Sequence, residues 1–458
     1  MRLNTSGTRL GQAKNARRPR QFRNLALAGL LLLAACGQSE TDRERDRADS
    51  AANPAGYSHN RGGISRVVST GSFAAVSADE GRAAEVGREI LQNGGNATDA
   101  AAAMYFALAV TLPSAAGLGS SGACIIQDEK TKAAEAFVFA PIAAPGPVAG
   151  QSFTVPSSVR AITLMHIRHG QMRWEQTVAP AERLARFGVP VSRALARDLQ
   201  ASGGVGLPGK GGGMLAEGNN LVQTDLARTL GAIRQRGGGE FFSGAFARTF
   251  SEQVSQMGGR LPLEALRSAV PQAGAPASET FGTFSRSRVY VAPSPAAGAM
   301  ALAGWKGQAP TGPTPTSSNG FSGLVAVDSK GGAAACSLSM GQLFGARLMV
   351  PGTGVLLGAP TPEAGSVSPV LIGNPGNGEF TFAGAGGGAP TAPQAVGYVA
   401  RATVDKDKEI GNVLQQLGGR GGYVNALVCP SGLRSDAASC RSAIDPTGAG
   451  LALLAIGR

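Results

Sequence analysis

Three histidines, five cysteines and a few serines near glycine-rich strands are the side chains this sequence has for chemistry. His59 sits in a polar stretch. His166 and His169 lie one helical turn apart in a segment without motif character, which predicts polar groups at a surface or core edge rather than catalysts. There is no CxxC pair and no Cys/His spacing of a zinc site, so the sequence predicts neither a metal nor a cofactor. Cys429 and Cys440 bracket a polar loop that a disulfide could close, whereas Cys124 and Cys336 sit in apolar, strand-like runs and read as small buried hydrophobes. The glycine-rich insert Gly203–Gly213 has no Ser or Thr after its lysine and no flanking strand, so it is a loop and not a phosphate cradle.

The elements that must position these residues are clearest between Ser77 and Asp128. Ser77 and Glu80 have capping-box spacing, and Ala83, Ala84, Gly87, Ile90 and Leu91 then share one helical face. Gly94-Gly95 suits a left-handed helix end, with Asn96 or Thr98 capping the next helix. That helix, Asp99 to Thr111, is apolar all round and is predicted to be buried. Pro113 stops it, and a glycine-rich loop to Gly122 leads into a strand, Ala123 to Gln127. Residues 64–308 alternate helix and strand signals, and 309–320 form a Pro/Thr/Ser-rich linker. Residues 321–458 carry the short strands and glycine turns of an all-β half. Pattern alone supports the α+β class.

The chain has 458 residues, 43% of them hydrophobic, enough for one large or two modest cores. Its net charge of +12 does not argue for nucleic acid. Residues 1 to 35 hold seven of the 42 basic residues and no acid, and without them the balance is 35 against 30. Those basic residues precede the apolar run Leu25–Ala35, too short to span a bilayer and placed as in a secretory signal. The run ends Leu33-Ala-Ala-Cys36, which resembles a bacterial lipobox. Residues 1–36 therefore read as a lipoprotein signal with Cys36 as the lipidated residue, and polar residues 37–63 as a flexible tether. The expected location is the cell envelope, anchored to the membrane by lipid at its periplasmic face, with Gly37 favouring the outer membrane. An exported chain can oxidise its thiols.

Three long stretches carry a family resemblance: Gly87 to Asp128, Val155 to Leu199, and Phe321 to Pro360. Shorter ones begin at Gly259 and Val289. Together they resemble the gamma-glutamyltranspeptidases, N-terminal nucleophile hydrolases that remove the gamma-glutamyl group from glutathione. The resemblance implies a four-layer αββα sandwich, a large-subunit-like region at 64–308 and a small-subunit-like region at 321–458. It implies a nucleophile released by self-cleavage, whose new α-amine is the base, and a small gamma-glutamyl amide as substrate. The family's long helical stretch before the cleavage point is reduced here to Gly304–Asn319.

Residue by residue, the resemblance implies a mixed site. Ungapped, the nucleophile falls on Phe321, which has no attacking atom. Ser322 follows and is the candidate nucleophile, but a one-residue slip of a strand turns its side chains to the other face. Ser317 and Ser318 are hydroxyls of the linker. Ser339 matches a positioning threonine, and Gly387 and Gly388 match the backbone pair of the oxyanion hole. Glu363 matches an aspartate that grips the substrate amino group, and Ser366 one of two carboxylate-binding serines, with Gly365 in place of the other. Gly341 replaces an asparagine, and no cation stands between Phe137 and Pro145 where an arginine is expected. The expected outcome is weak or absent glutathione-directed activity. Two alternatives are an amidase of altered specificity using Ser322, and a non-catalytic binding or scaffolding module.

Overall fold

The computed structural model describes residues 64–66, 73–204, 207, 213–282, 286–360 and 367–455. Cys36, His59, Glu363, Ser366, Gly365 and the centre of the Gly203–Gly213 insert lie outside the described residues.

Two seven-stranded sheets, antiparallel throughout, face each other. The first runs Leu451–Leu454, Ala75–Ala78, Phe321–Val327, Ala333–Ser339, Ser121–Gln127, Ala134–Phe139, Gln272–Gly274. The second runs Ile64–Arg66, Arg441–Ile444, Tyr423–Val428, Glu379–Gly387, Val370–Asn374, Ser287–Val291, Ala277–Phe281. Each sheet mixes strands from before and after the linker. Strands buried on both faces need apolar residues at every position, and Phe321–Val327 and Ala333–Ser339 are buried along their whole length.

Three cores separate four layers. Ile125, Val325 and Ala335 meet Leu371, Phe382's neighbour Ala383 and Leu427 between the sheets. Leu324, Ala326 and Cys336 pack outward against the first helical layer, which includes Ala97–Thr111. Ile372, Phe382 and Val424 pack against helices Ala297–Trp305, Ala392–Val404 and Ile410–Leu417. The αββα sandwich expected from the sequence is the fold, with Phe321–Val327 in the interior of its sheet. Among the described residues no helix is long and apolar enough to cross a membrane.

Helix Ala97–Thr111 is buried at all its positions, and Asn96 caps it in a reciprocal box with Asp99. Ser77, however, does not cap the preceding helix. It belongs to strand Ala75–Ala78, and its hydroxyl donates to Asn425 Oδ1 across the sheets at 3.2 Å. Glu80 takes the capping role, accepting from the Ala83 amide. The C-terminal half is not all-β, since helices Ala392–Val404 and Ile410–Leu417 cover its sheet. Cys124 and Cys336 are not free hydrophobes. They stand opposite each other in paired strands and form a disulfide, as do Cys429 and Cys440.

Candidate active site at the head of the Phe321 strand

Strand Phe321–Val327 begins where the linker ends, and Phe321 faces Ser339 in the neighbouring strand. The pleat decides which side chains can act together. Val325 and Val327 pack between the sheets, while Leu324 and Ala326 pack toward the helices. With a period of two, Phe321 shares the inter-sheet face and Ser322 the helical face. The residue at the head of this strand is thus a phenylalanine, with Ser322 next to it on the opposite face.

Ser322 is fully buried, and its hydroxyl makes no hydrogen bond of good geometry, although it lies near enough to Asp79 to favour the ionised carboxylate. Asp79 accepts from the Gly323 amide at 2.8 Å through Oδ2 and from Asn425 Nδ2 at 2.7 Å through Oδ1. Burial raises the Asp79 carboxyl to about 6, against the lowering effect of those donors.

The glycine pair reaches this same point. A side chain at Gly387 would meet Asp79 Oδ2 at 2.3 Å and the Phe321 carbonyl oxygen at 3.0 Å, so only glycine lets the two sheets approach here. The Gly388 amide donates to the Phe321 carbonyl at 3.2 Å, and Asn319 Nδ2 donates to the Gly388 carbonyl at 2.8 Å. Ser339 turns its hydroxyl to the Gly341 amide, accepting at 2.9 Å. Gly341 has φ of 85°, and a Cβ there would lie 2.3 Å from the Ala359 carbonyl oxygen. An asparagine side chain is therefore excluded by backbone as well as missing from the sequence. No cation from Phe137–Pro145 replaces the expected arginine. Arg168 stacks over Phe137 and pairs with Glu135.

Sequence reasoning missed a second set of residues that surrounds the strand head. Asp198, buried on helix Arg193–Ala201, accepts from the Ser318 amide at 2.7 Å and from the Ser318 and Ser114 hydroxyls at 2.5 Å each. Burial raises its carboxyl, with these donors opposing the shift. Tyr423 donates to the Pro315 carbonyl at 2.6 Å, and Thr314 to the Gly418 carbonyl at 2.6 Å. Burial first, and then the charge of Asp79, raise the Tyr423 hydroxyl to about 12. Ser317 bonds only locally, to Asn319. A cleft of about 310 Å³ remains, lined by Asp79, Leu112, Ala194, Arg197, Ser317, Ser318, Tyr423 and Ala449. Arg197, which donates to the Thr447 carbonyl, is thus the cation at the strand head. Nothing in its spacing from the motifs signals this, because helix Arg193–Ala201 reaches the site only through the fold.

His166 and His169 are elsewhere in the hydrogen-bond network. His166 lies 3.1 Å from Asp99 and 3.2 Å from Thr177, and His169 bridges Asp128 and Glu135. Among the described residues no group of side chains has the makings of a metal site.

A four-layer sandwich with a strand head of this kind defines an N-terminal nucleophile hydrolase fold. The cephalosporin acylase of Bacillus halodurans has it too, with a TM-score of 0.66 at 18% identity over 87% of this chain and 98% of that one. The gamma-glutamyltranspeptidase family model matches residues 83–306, just under half of the chain. The chain is 33% identical over 251 residues to the glutathione hydrolase proenzyme of Escherichia coli (strain K12), covering 49% of this chain and 43% of the relative. Against the glutathione hydrolase proenzyme of Bacillus subtilis (strain 168) it is 29% identical over 252 residues, covering 48% and 41%. The matches thus span about two fifths of the length of these curated relatives.

Proposed function

We propose that this chain is a lipid-anchored envelope member of the gamma-glutamyltranspeptidase family whose glutathione-directed activity is weak or lost. The observation that carries the reading is Phe321 at the strand head, locked in register against Ser339. A nucleophile is the one part of such a site without a weak substitute, since removing it costs on the order of 10⁶-fold in rate. Losing a substrate-gripping hydrogen bond costs only about 1.5–3 kcal/mol. The shape of Gly341 and the bare Phe137–Pro145 segment weaken gamma-glutamyl recognition further. Export is supported by the two disulfides and by the lipobox-like Leu33–Cys36. Within the envelope the chain then serves as a non-catalytic binding or scaffolding module, with the membrane engaged through Cys36 and no role for nucleic acid.

A second reading has a specific observation in its favour: an amidase of altered specificity using Ser322. The unpartnered Ser322 hydroxyl lies near a carboxylate poised at about 6, and the Gly388 amide points at the adjoining Phe321 carbonyl. A denaturing gel of the purified mature chain separates the readings. Two fragments meeting near Ser322 contradict the first, and a single band of the uncut length supports it; a chromogenic gamma-glutamyl anilide then tells whether a cut chain acts on gamma-glutamyl amides. Labelling with a palmitate analogue that survives Cys36→Ala contradicts the lipid anchor.

A further inference from the structure

Away from the strand head, an open cleft of about 520 Å³ lies in the outer helical layer of the second sheet. Its floor is apolar, made by buried Ala402, Val413 and Leu417 from helices Ala392–Val404 and Ile410–Leu417, with half-buried Tyr398 as one wall and the start of the linker as another. Its rim is cationic. Exposed Lys408 and Arg420 line it, no carboxylate does, and neither cation has an ion pair among the described residues. Of the neighbouring acids, Asp405 is engaged by Lys406 at 2.8 Å and Arg401 at 3.6 Å and Glu409 accepts from the Asn412 amide, while Asp407 flanks Lys408 without lining the cleft.

Arg420 is also held in place. Its Nε and Nη2 donate to the Leu417 and Gln416 carbonyls at the end of the last helix, at 3.2 and 3.3 Å. Those two bonds fix the guanidinium plane and leave Nη1 for a ligand, so little side-chain entropy is lost on binding. A cleft with apolar residues at its base and two exposed cations on its rim, neither in an ion pair among the described residues, has the make-up of a site for a small anionic ligand.

We propose that this cleft binds a small amphiphilic anion, a carboxylate or phosphate monoester whose head meets Lys408 and Arg420 and whose short apolar tail lies on Ala402, Val413 and Leu417. The site is independent of the strand head, so it stands whether or not the chain retains catalysis.

Calorimetric titration of the full chain with hexanoate and with hexyl phosphate tests it, with hexylammonium and hexanol as controls. Saturable binding of either anion, but of neither control, is expected, and the order of the two anions tells which head group the rim prefers. Lys408→Ala and Arg420→Ala should each weaken binding about tenfold, the loss of one charge-assisted hydrogen bond. Lys408 lies on an exposed connection, so its variant tests the site even if Arg420→Ala disturbs the helix end. Absence of anion binding up to roughly 10 mM, the weak limit for a specific small ligand, overturns the proposal. So does equal binding of hexanol, or unchanged affinity in Lys408→Ala.

Discussion

Asp79 gives the sharpest quantitative handle on the strand head. Burial raises its carboxyl from 3.8, the value of an exposed aspartate, to about 6 in the folded chain. The folded state therefore holds the Asp79 proton more tightly than the unfolded state does. The stability this contributes is complete below about pH 3.8 and is lost as pH rises through about 6. A gap of roughly two pH units, at about 1.4 kcal/mol each, amounts to about 3 kcal/mol. Asp79→Asn removes the titration while keeping an acceptor for the Gly323 amide. Asn425 can turn its own amide to suit, with Ser77 changing from donor to acceptor. Urea unfolding of both proteins between pH 4 and 8 should show the variant gaining on the wild type by about 3 kcal/mol across that range, centred near pH 5 to 6. The buried acids Glu80, Asp198 and Asp328 are also raised and cancel in the difference, whereas Asp445, whose charge helps to raise Asp79, contributes to it. A difference that is flat with pH refutes the buried, charge-disfavouring environment assigned to Asp79.

Three further outcomes follow from named contacts. Gly341→Asn should cost more than about 2 kcal/mol in urea unfolding, because it adds a Cβ at positive φ against the Ala359 carbonyl; a cost under about 0.5 kcal/mol would show that the loop yields. Cys124→Ala with Cys336→Ala should lower stability by about 2–5 kcal/mol, and an unchanged melting profile would count against the cross-strand bond. Asp198→Asn breaks the grip on Ser318 and Ser114, so limited proteolysis between Pro310 and Asn319 should quicken; equal rates would place the hold on the linker elsewhere.

What the sequence disclosed follows from how local each signal is. Helix Ala97–Thr111 was legible because an all-round apolar run has only one environment, and Asn96 has the right side chain for its cap. The αββα arrangement was legible through resemblance, but the register of the Phe321 strand was not, because the sequence alone leaves open which residue of Ala333–Ser339 stands opposite Phe321. Ser77 misled because a serine three residues before a glutamate fits a capping box, yet its backbone was already committed to the ladder with Phe321–Val327's strand. The Cys124–Cys336 pair, 212 residues apart, is defined only by sheet register. Asp198, Arg197 and Tyr423 come from three separate elements, so no window of sequence holds them together. Helices Ala392–Val404 and Ile410–Leu417 were obscured by the glycine-rich turns around them.

The central claim is that a phenylalanine occupies the position from which the family's nucleophile acts. Intact-mass spectrometry of the purified mature protein, wild type beside Ser322→Ala, tests it most directly. The account predicts one uncut chain in both samples. Two fragments meeting at the Phe321–Ser322 bond in the wild type, restored to one chain by Ser322→Ala, would contradict it.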